Sequence, residues 1–220
     1  MIARLRLELK NQRIVYFVPV AVTLILVPLV IWARYTSILG EDIKEYLTRL
    51  YTIDTAQMFV PLFSVWWPIF VMKEYLNSPG NEVLFAYRFG WDTLLMRCLA
   101  LWLWYGVHWS LVCVAASFLI QYLIWLWIMV MLQSFMLVAM VYFLAMLSKN
   151  TFLPLMLAVL YCLACLLFQV PLSVFNLGIH LEEPAERLAE ITPALNALPV
   201  GLLLFAAGGW LEGRLWKKGR

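Results

Sequence analysis

The sequence predicts an all-α, polytopic membrane protein with six transmembrane helices in a single domain. Of its 220 residues, 65% are hydrophobic and only 13% are charged, whereas ordinary soluble domains are roughly 25% charged. The apolar residues form continuous runs that match the roughly 20 residues a helix needs to cross a bilayer. These runs do not alternate polar and apolar residues over about ten positions, as the strands of an outer-membrane barrel do.

The order of the apolar runs gives the predicted spans. They are residues 14–33, 55–72, 94–116, 123–147, 152–172 and 197–216, within one transmembrane domain covering 1–220. The run from Leu94 to Leu147 is too long for one helix, so we place a tight turn near 117–122. The first run is longer than the apolar part of a signal peptide and no A-x-A site follows it, so we expect it to remain as a span.

The basic residues indicate the orientation of these spans. Twelve of the 16 Lys and Arg lie on the side that holds both termini: Arg4, Arg6, Lys10, Arg13, Lys73, Arg88, Arg97, Lys149, Arg214, Lys217, Lys218 and Arg220. Four lie on the other side: Arg34, Lys44, Arg49 and Arg187. Because cytoplasmic loops carry the excess of Lys and Arg, we expect a multi-pass protein of the cell membrane with both termini in the cytoplasm.

Three segments outside the spans are predicted to be helical. Residues 2–13 have an apolar face and a basic face, which is typical of a helix lying on the cytoplasmic leaflet; a basic tail that only sets topology is the alternative. Residues 41–51 and 181–199 have apolar residues at helical spacing and predict short helices on the outer rim, which cap the bundle or, alternatively, gate a pathway. We expect Pro193 to end the second of these helices.

The loop between the second and third predicted spans is expected to contain a short cytoplasmic helix. Ser78 is a suitable N-cap with Pro79 at the first helical position, and Glu82 complements the helix dipole. Gly90 is expected to end this helix, and Asp92 to cap the next one.

The same helix is predicted to carry an apolar end. Val83, Leu84 and Tyr87 project from it, and Arg88 follows. Such a helix fits a groove on a soluble partner protein. The alternative is a helix that lies on the membrane surface.

This loop resembles the cytoplasmic loop of type-2 ATP-binding-cassette (ABC) transporter permeases. Its matching positions are Glu74, Gly80, Asn81, Glu82, Val83, Leu84, Arg88 and Arg97. The topology of the family also matches over nearly the whole chain. The family often has Thr where this chain has Asn81, and it has a Pro-x-x-Arg segment before the third span that this chain lacks.

The resemblance implies that the loop is a coupling helix that docks on a cytoplasmic ABC ATPase subunit. The coupling residues would be Glu74, Ser78, Gly80, Asn81, Glu82, Val83, Leu84, Tyr87 and Arg88. No P-loop occurs in the sequence, so ATP and Mg would be held by the partner ATPase, and this chain would carry neither a cofactor nor an enzyme activity of its own. A second permease subunit, identical or homologous, would complete the pathway. The substrate class implied by the family is a hydrophobic or amphipathic compound, such as an antimicrobial or cytolytic peptide or a drug.

Polar and aromatic residues within the spans are candidates for lining a pathway. They are Gln57, Ser64, Trp66, His108, Gln133 and Gln169. For the polar residues among them the alternative is a hydrogen bond between helices, and for Trp66 it is a position facing the lipid. Glu212 and Arg214 are expected to form an interfacial pair at the cytoplasmic end of the last span.

Other chemistry finds little support in the sequence. Only two histidines occur, His108 and His180, and neither belongs to a His-Glu-x-x-His motif, so a metal site and intramembrane catalysis are not expected. Cys162 and Cys165 are interpreted as small apolar residues. The basic residues form no stripe that would suit nucleic acid. The alternative function is a non-transporting membrane immunity or assembly protein that binds a peptide or a partner protein.

Overall fold

The computed structural model describes residues 14–37, 41–77, 93–117, 123–168 and 187–218, and within these ranges the chain is built of helices. They are α1 (Ile14–Ala21), a π-helical turn (Val22–Leu26), α2 (Val27–Ser37), α3 (Glu41–Ser64), α4 (Trp66–Leu76), α5 (Leu94–Ala116), α6 (Leu123–Ser148), α7 (Phe152–Phe168) and α8 (Arg187–Lys218). The prediction of a helical chain is confirmed for these ranges. The predicted helix at 2–13 and most of the predicted turn at 117–122 lie outside them.

Five helical stretches are long and apolar enough to cross a bilayer. They are Ile14–Ala33, Thr55–Leu76, Leu94–Ala116, Ile124–Ser148 and Leu195–Leu215, and they coincide with five of the predicted spans. The apolar helix in α7, Phe152–Cys165, is shorter, and the residues that follow α7, 169–186, lie outside the described part of the chain. The described residues therefore form a polytopic helical membrane protein.

The first span contains Pro19 and is bound to α4 one turn before it. Pro19 has no N–H to donate to the carbonyl of Val15 four residues earlier. The indole Nε1 of Trp66 donates to that carbonyl instead, at 3.2 Å, and Nε1 of Trp67 donates to the carbonyl of Tyr16 at 3.1 Å. Because lipid offers no hydrogen bonds, a helix bent by proline needs such donors from its neighbours.

The helix of the second span begins well before the apolar run. Residues 41–51 were expected to form a separate short helix, which is wrong: α3 runs continuously from Glu41 to Ser64. No Gly or Pro occurs between Glu41 and Val60, so nothing interrupts the backbone hydrogen bonds. The break comes later, at Val65, where Ser64 Oγ donates to the carbonyl of Pro61 at 2.6 Å.

The last helix is also longer than expected. Pro193 was predicted to end a short helix, but α8 continues through Pro193 and Pro199 to Lys218. Proline is tolerated inside membrane helices when neighbouring groups satisfy the freed carbonyl.

Helix α6 forms the centre of the bundle, and α3, α4, α5, α7 and α8 all pack against it. Its closest approach is to α8, where two glycines seven residues apart each face an aromatic ring of α6. Gly201 lies against Phe135 and Gly208 against Tyr142, and Phe205 packs between those two rings. Since both partners advance by seven residues, the two helices run parallel, and the glycines let their backbones approach closely.

Candidate functional site: a polar junction at one end of the bundle

Two buried charged residues mark one end of the bundle. Arg97 is 6% exposed and Glu212 is 2% exposed, and they are the two buried charged residues among the side chains whose burial the structure describes. Arg97 lies in the first turns of α5, directly after the 78–92 loop, and Glu212 lies near the end of α8. Ionisable groups are expensive to bury within membrane helices, so such positions are candidates for function.

Glu212 joins three helices through its carboxylate. Its Oε1 accepts a hydrogen bond from the Leu94 amide at 3.0 Å. Its Oε2 accepts one from the Leu95 amide at 3.3 Å and one from the Tyr142 hydroxyl at 2.6 Å. The first N–H groups of a helix have no partner within it, and the helix dipole favours a negative charge there. Glu212 of α8 therefore caps α5 and binds α6 at the same time.

Thr93 completes the cap of α5. Its backbone is extended, with φ −85° and ψ 155°, and its Oγ1 accepts a hydrogen bond from the Met96 amide at 3.1 Å. The prediction that Asp92 caps this helix is wrong, because Thr93 has the extended backbone and the side-chain bond of an N-cap. Side chains thus satisfy the amides of Leu94, Leu95 and Met96.

Arg97 ties the start of α5 to the end of α4. Its Nη1 donates a hydrogen bond to the hydroxyl of Tyr75, and its guanidinium carbon lies 4.9 Å from the centroid of the Tyr75 ring. A guanidinium over an aromatic face within about 6 Å is attracted by the ring. Tyr75 precedes the 78–92 loop and Arg97 follows it, so this contact closes the loop at its base.

A second contact lies beside this base. Asn77, at the end of α4, donates through Nδ2 to Oδ1 of Asn150 at 3.3 Å. The same Asn150 oxygen accepts from the Phe152 amide at 2.9 Å and caps α7. Lys149, between α6 and α7, has a positive φ of 53°, which turns the chain sharply at this point.

We call Tyr75, Arg97, Tyr142 and Glu212 the polar junction. It connects α4, α5, α6 and α8 at the end of the bundle from which the 78–92 loop leaves. The residues that flank this loop are consequently bound to each other, through Tyr75 and Arg97, and the start of α5 is bound to α8 through Glu212.

The predicted pair between Glu212 and Arg214 is wrong. Glu212 points into the bundle, whereas the guanidinium carbon of Arg214 lies 3.7 Å from the centroid of the Trp210 ring. Residues two apart on a helix point to different sides, which explains the different surroundings.

The predicted coupling residues fall mostly outside the described part of the chain. Ser78, Gly80, Asn81, Glu82, Val83, Leu84, Tyr87 and Arg88 lie there, and their role stays a prediction. Glu74 lies in α4, partly exposed, next to Tyr75 of the polar junction.

Three of the candidate pathway residues make contacts inside the subunit. Gln57 is buried, with its Nε2 3.9 Å from the sulfur of Met129. Ser64 donates to its own helix, and Trp66 donates to the first span. Of these, the Gln57 contact joins two helices, as the alternative for the polar residues expects, whereas the Ser64 bond lies within α3. The pathway role of all three residues stays a prediction.

Two further candidates add little to the pathway prediction, which stays untested. Gln133 is buried in α6. Gln169 lies outside those residues.

His108 belongs to an aromatic cluster between the first three spans. Its Nδ1 lies 2.9 Å from the carbonyl of Trp104; because a carbonyl only accepts, Nδ1 carries the proton. Its ring packs edge-on against Trp67 and Trp104, with centroids 5.6 and 5.1 Å away. Tyr16 stacks on Trp67 at 5.1 Å and accepts a hydrogen bond from the Trp104 indole.

An apolar cavity of about 430 Å³ opens between α5, α6 and α8. Two tryptophan–serine hydrogen bonds of 2.9 Å cross between α5 and α6 along it, Trp102 to Ser134 and Trp127 to Ser110. Its polar groups are therefore already paired with one another. Apolar side chains that are well exposed, including Leu103, line its rim.

The cysteines of the chain are free thiols. Cys98, Cys113, Cys162 and Cys165 are all buried and unbridged. Among the described residues, no three His, Cys, Asp or Glu side chains come together as metal ligands.

The junction was missed at the sequence level because its partners lie far apart in the chain. Glu212 is 118 residues from Leu94 and 70 from Tyr142. A signal does exist: Glu212 is an acidic residue within the last apolar run, and its depth matches the start of the third span.

No protein-family model, no curated protein and no solved structure matches this chain. Its function is therefore inferred from its own residues and contacts.

Proposed function

We propose that this chain is the transmembrane subunit of an ABC exporter. It would cross the cell membrane six times with both termini in the cytoplasm, as the distribution of its Lys and Arg favours. A separate cytoplasmic ATPase subunit would bind ATP and Mg and dock on the 74–88 segment. A second permease subunit, the same or homologous, would form the other half of the pathway.

The polar junction is the observation that supports this proposal most. A coupling loop is useful only if its movement reaches the membrane helices. Here Tyr75 and Arg97 close the loop at its base, and Glu212 joins the helix after the loop to α6 and α8. A force on the loop would therefore act on four helices rather than on one.

The charge at this end of the bundle also favours an intracellular position. Lys73, Lys149 and Arg214 are exposed near the polar junction. Such exposed cations at helix ends are typical of the cytoplasmic side.

The apolar cavity supports the proposed class of cargo. A cavity of about 430 Å³ with apolar walls and internally paired polar groups suits a hydrophobic or amphipathic compound such as a peptide or drug. The described residues that line it are apolar, aromatic or glycine apart from Ser110, which differs from the several polar ligands that a small hydrated ion requires.

The proposal is tested by purifying a tagged copy from its native membrane in mild detergent. We expect a P-loop protein in a fixed stoichiometry, together with ATP hydrolysis. Leu84→Arg and Glu82→Ala should remove both while the thermal stability of the chain is unchanged. Arg214→Ala is the matched control, because it removes an exposed charge at the same end of the bundle but outside the loop.

The outcomes separate the two candidate functions. If the folded chain purifies without a P-loop protein across several detergents, the transporter proposal fails and the immunity or assembly function is favoured. Loss of the ATPase in Arg214→Ala to the same degree as in Leu84→Arg would show that the loop is not the docking element.

A further inference from the structure

We propose that Glu212 is the positioning residue that couples the last span to the first turn of α5, where the 78–92 segment joins the membrane helices. This inference deepens the proposed function, because it says how a displacement at the docking segment would reach α8, and it rests on that function.

The first turn of α5 has two kinds of support. Thr93 caps it from within the loop connection, through the Met96 amide. Glu212 caps it from α8, through the Leu94 and Leu95 amides. An ordinary helix needs only the first kind, so the second links α5 to a helix that is remote in sequence.

The link is strong because of its charge and burial. A hydrogen bond to an ionised acceptor is roughly twice as strong as a neutral one, and Glu212 accepts three. It is 2% exposed, so water is poorly placed to replace any bond that breaks.

Glu212 is also bound to α6, through Tyr142. Tyr142 is fully buried in α6, and its hydroxyl donates to the same Oε2 that receives the Leu95 amide. Its ring fills the space left by Gly208, four residues before Glu212 on α8. A displacement of α5 is thus passed to α8 through the carboxylate, and from α8 to α6 through the glycine contact.

Glu212→Gln is the variant that weakens this link with the least change in shape. The amide has one acceptor oxygen where the carboxylate has two, so one of the Leu94 and Leu95 amides must face an NH₂ group. Tyr142→Phe is the second variant, because it removes the bond to α6 and keeps both bonds to α5.

The first measurement uses the chain alone in lipid nanodiscs, followed by hydrogen–deuterium exchange. Thr93→Ala should speed exchange in the first turn of α5 and also in the last turns of α8, by about tenfold for the loss of one hydrogen bond. In the Glu212→Gln background, Thr93→Ala should affect α5 but no longer α8. An equal effect on α8 with and without Glu212 would overturn the inference.

A second measurement uses the complex with its ATPase, with ATP and orthovanadate as the probe. In the wild type, trapping should change exchange in both the 78–92 loop and α8. Glu212→Gln should keep the change in the loop and lose most of the change in α8. Gly201→Ala is the control for a general loss of stability in α8, and it should keep both changes.

Failure of the inference and failure of the proposed function give different results. If no ATPase binds but Thr93→Ala still reaches α8 only through Glu212, the function is wrong and the positioning role stands. If the ATPase binds and α8 responds equally in Glu212→Gln, or equally weakly in Gly201→Ala, Glu212 is a helix cap and no more.

Discussion

The effect of a Gly→Ala substitution in α8 on stability is predicted to depend on whether the glycine packs against α6. A Cβ added at Gly208 would lie 2.5 and 2.7 Å from two ring carbons of Tyr142 and 3.3 Å from the Cα of Phe143. A Cβ at Gly213, five residues further along the same helix, would have no atom within 4 Å. Both substitutions change the helix propensity of α8 by the same amount, so a difference in stability between them reports the packing of the added methyl group.

The magnitude follows from the distances. Carbon atoms pack at about 3.5–4.0 Å, so Gly208→Ala requires the Tyr142 ring to move by about 1 Å. The ring is held by its hydroxyl bond to Glu212 and by the Phe205 ring, and the Phe143 backbone closes the remaining space. Overpacking of this kind costs about 1–3 kcal/mol, while replacing a helical glycine by alanine returns up to about 1 kcal/mol.

We therefore expect Gly208→Ala to lower the free energy of unfolding by about 1–2 kcal/mol, which for a chain of this size is roughly 2–4 °C in Tm per kcal/mol. Gly213→Ala should be neutral or slightly stabilising. Gly106→Ala should cost less than Gly208→Ala, because its Cβ would meet only the terminal methyl and sulfur of Met131, which can rotate away.

The chain itself supplies the assay for these three variants. Cys98, Cys113, Cys162 and Cys165 are free and buried, so a thiol-reactive fluorescent dye will label them only as the helices come apart on heating. Equal losses of Tm in Gly208→Ala and Gly213→Ala would refute the packing argument. So would an unchanged Tm in Gly208→Ala.

Three further predictions concern hydrogen bonds and use the same melting assay. Thr93→Ala removes the cap of α5 and should cost about 1 kcal/mol, whereas Thr93→Ser should retain most of the stability; equal losses would contradict the capping role. Trp66→Phe leaves the Val15 carbonyl unpaired and should lower the free energy of unfolding by about 1–3 kcal/mol. The loss should be much smaller in a Pro19→Ala background, where the backbone N–H of Ala at that position can bind the same carbonyl. If the effects of the two substitutions are additive, the Trp66 indole does not replace the N–H that Pro19 lacks. Trp127→Phe should lower the free energy of unfolding by about 0.6 kcal/mol, as is usual for such bonds between membrane helices. It should have no effect in a Ser110→Ala background, where the bond is already absent. An equal loss in that background would show that the effect comes from packing and not from the hydrogen bond.

The helices could be predicted from sequence because their cause is local. Long apolar runs such as Leu94–Ala116 form helices long and apolar enough to cross a bilayer, and their ends agree with the predicted spans to within a few residues. The ends of two helices were predicted wrongly. Pro193 was expected to end a helix, as it would in water, and residues 41–51 were separated from a helix that in fact continues through them.

The polar junction could not be predicted because it depends on register between distant helices. Glu212 and Arg214 look alike in the sequence, as two charges near the end of a span. Only the position of Tyr142 and of the first turn of α5 decides that Glu212 is buried and that Arg214 lies over Trp210. The glycine spacing of seven, Gly201 to Gly208, is visible in the sequence, but its meaning depends on the parallel course of α6 beside it.

The hydrogen bonds between helices differ between the polar junction and the rest of the bundle. Away from the polar junction, the tryptophan–serine and tryptophan–carbonyl bonds each join two helices, so the loss of one such bond affects a single pair of helices. At the polar junction one carboxylate holds three donors from two helices, and its own helix packs through Gly208 on one of them. If one of the three bonds to Glu212 breaks, the other two still join the helix ends, so we expect the ends of α5, α6 and α8 to move together or separate together. Under the proposed function, a displacement at the docking segment would therefore reach the membrane helices through Glu212 rather than through the apolar spans.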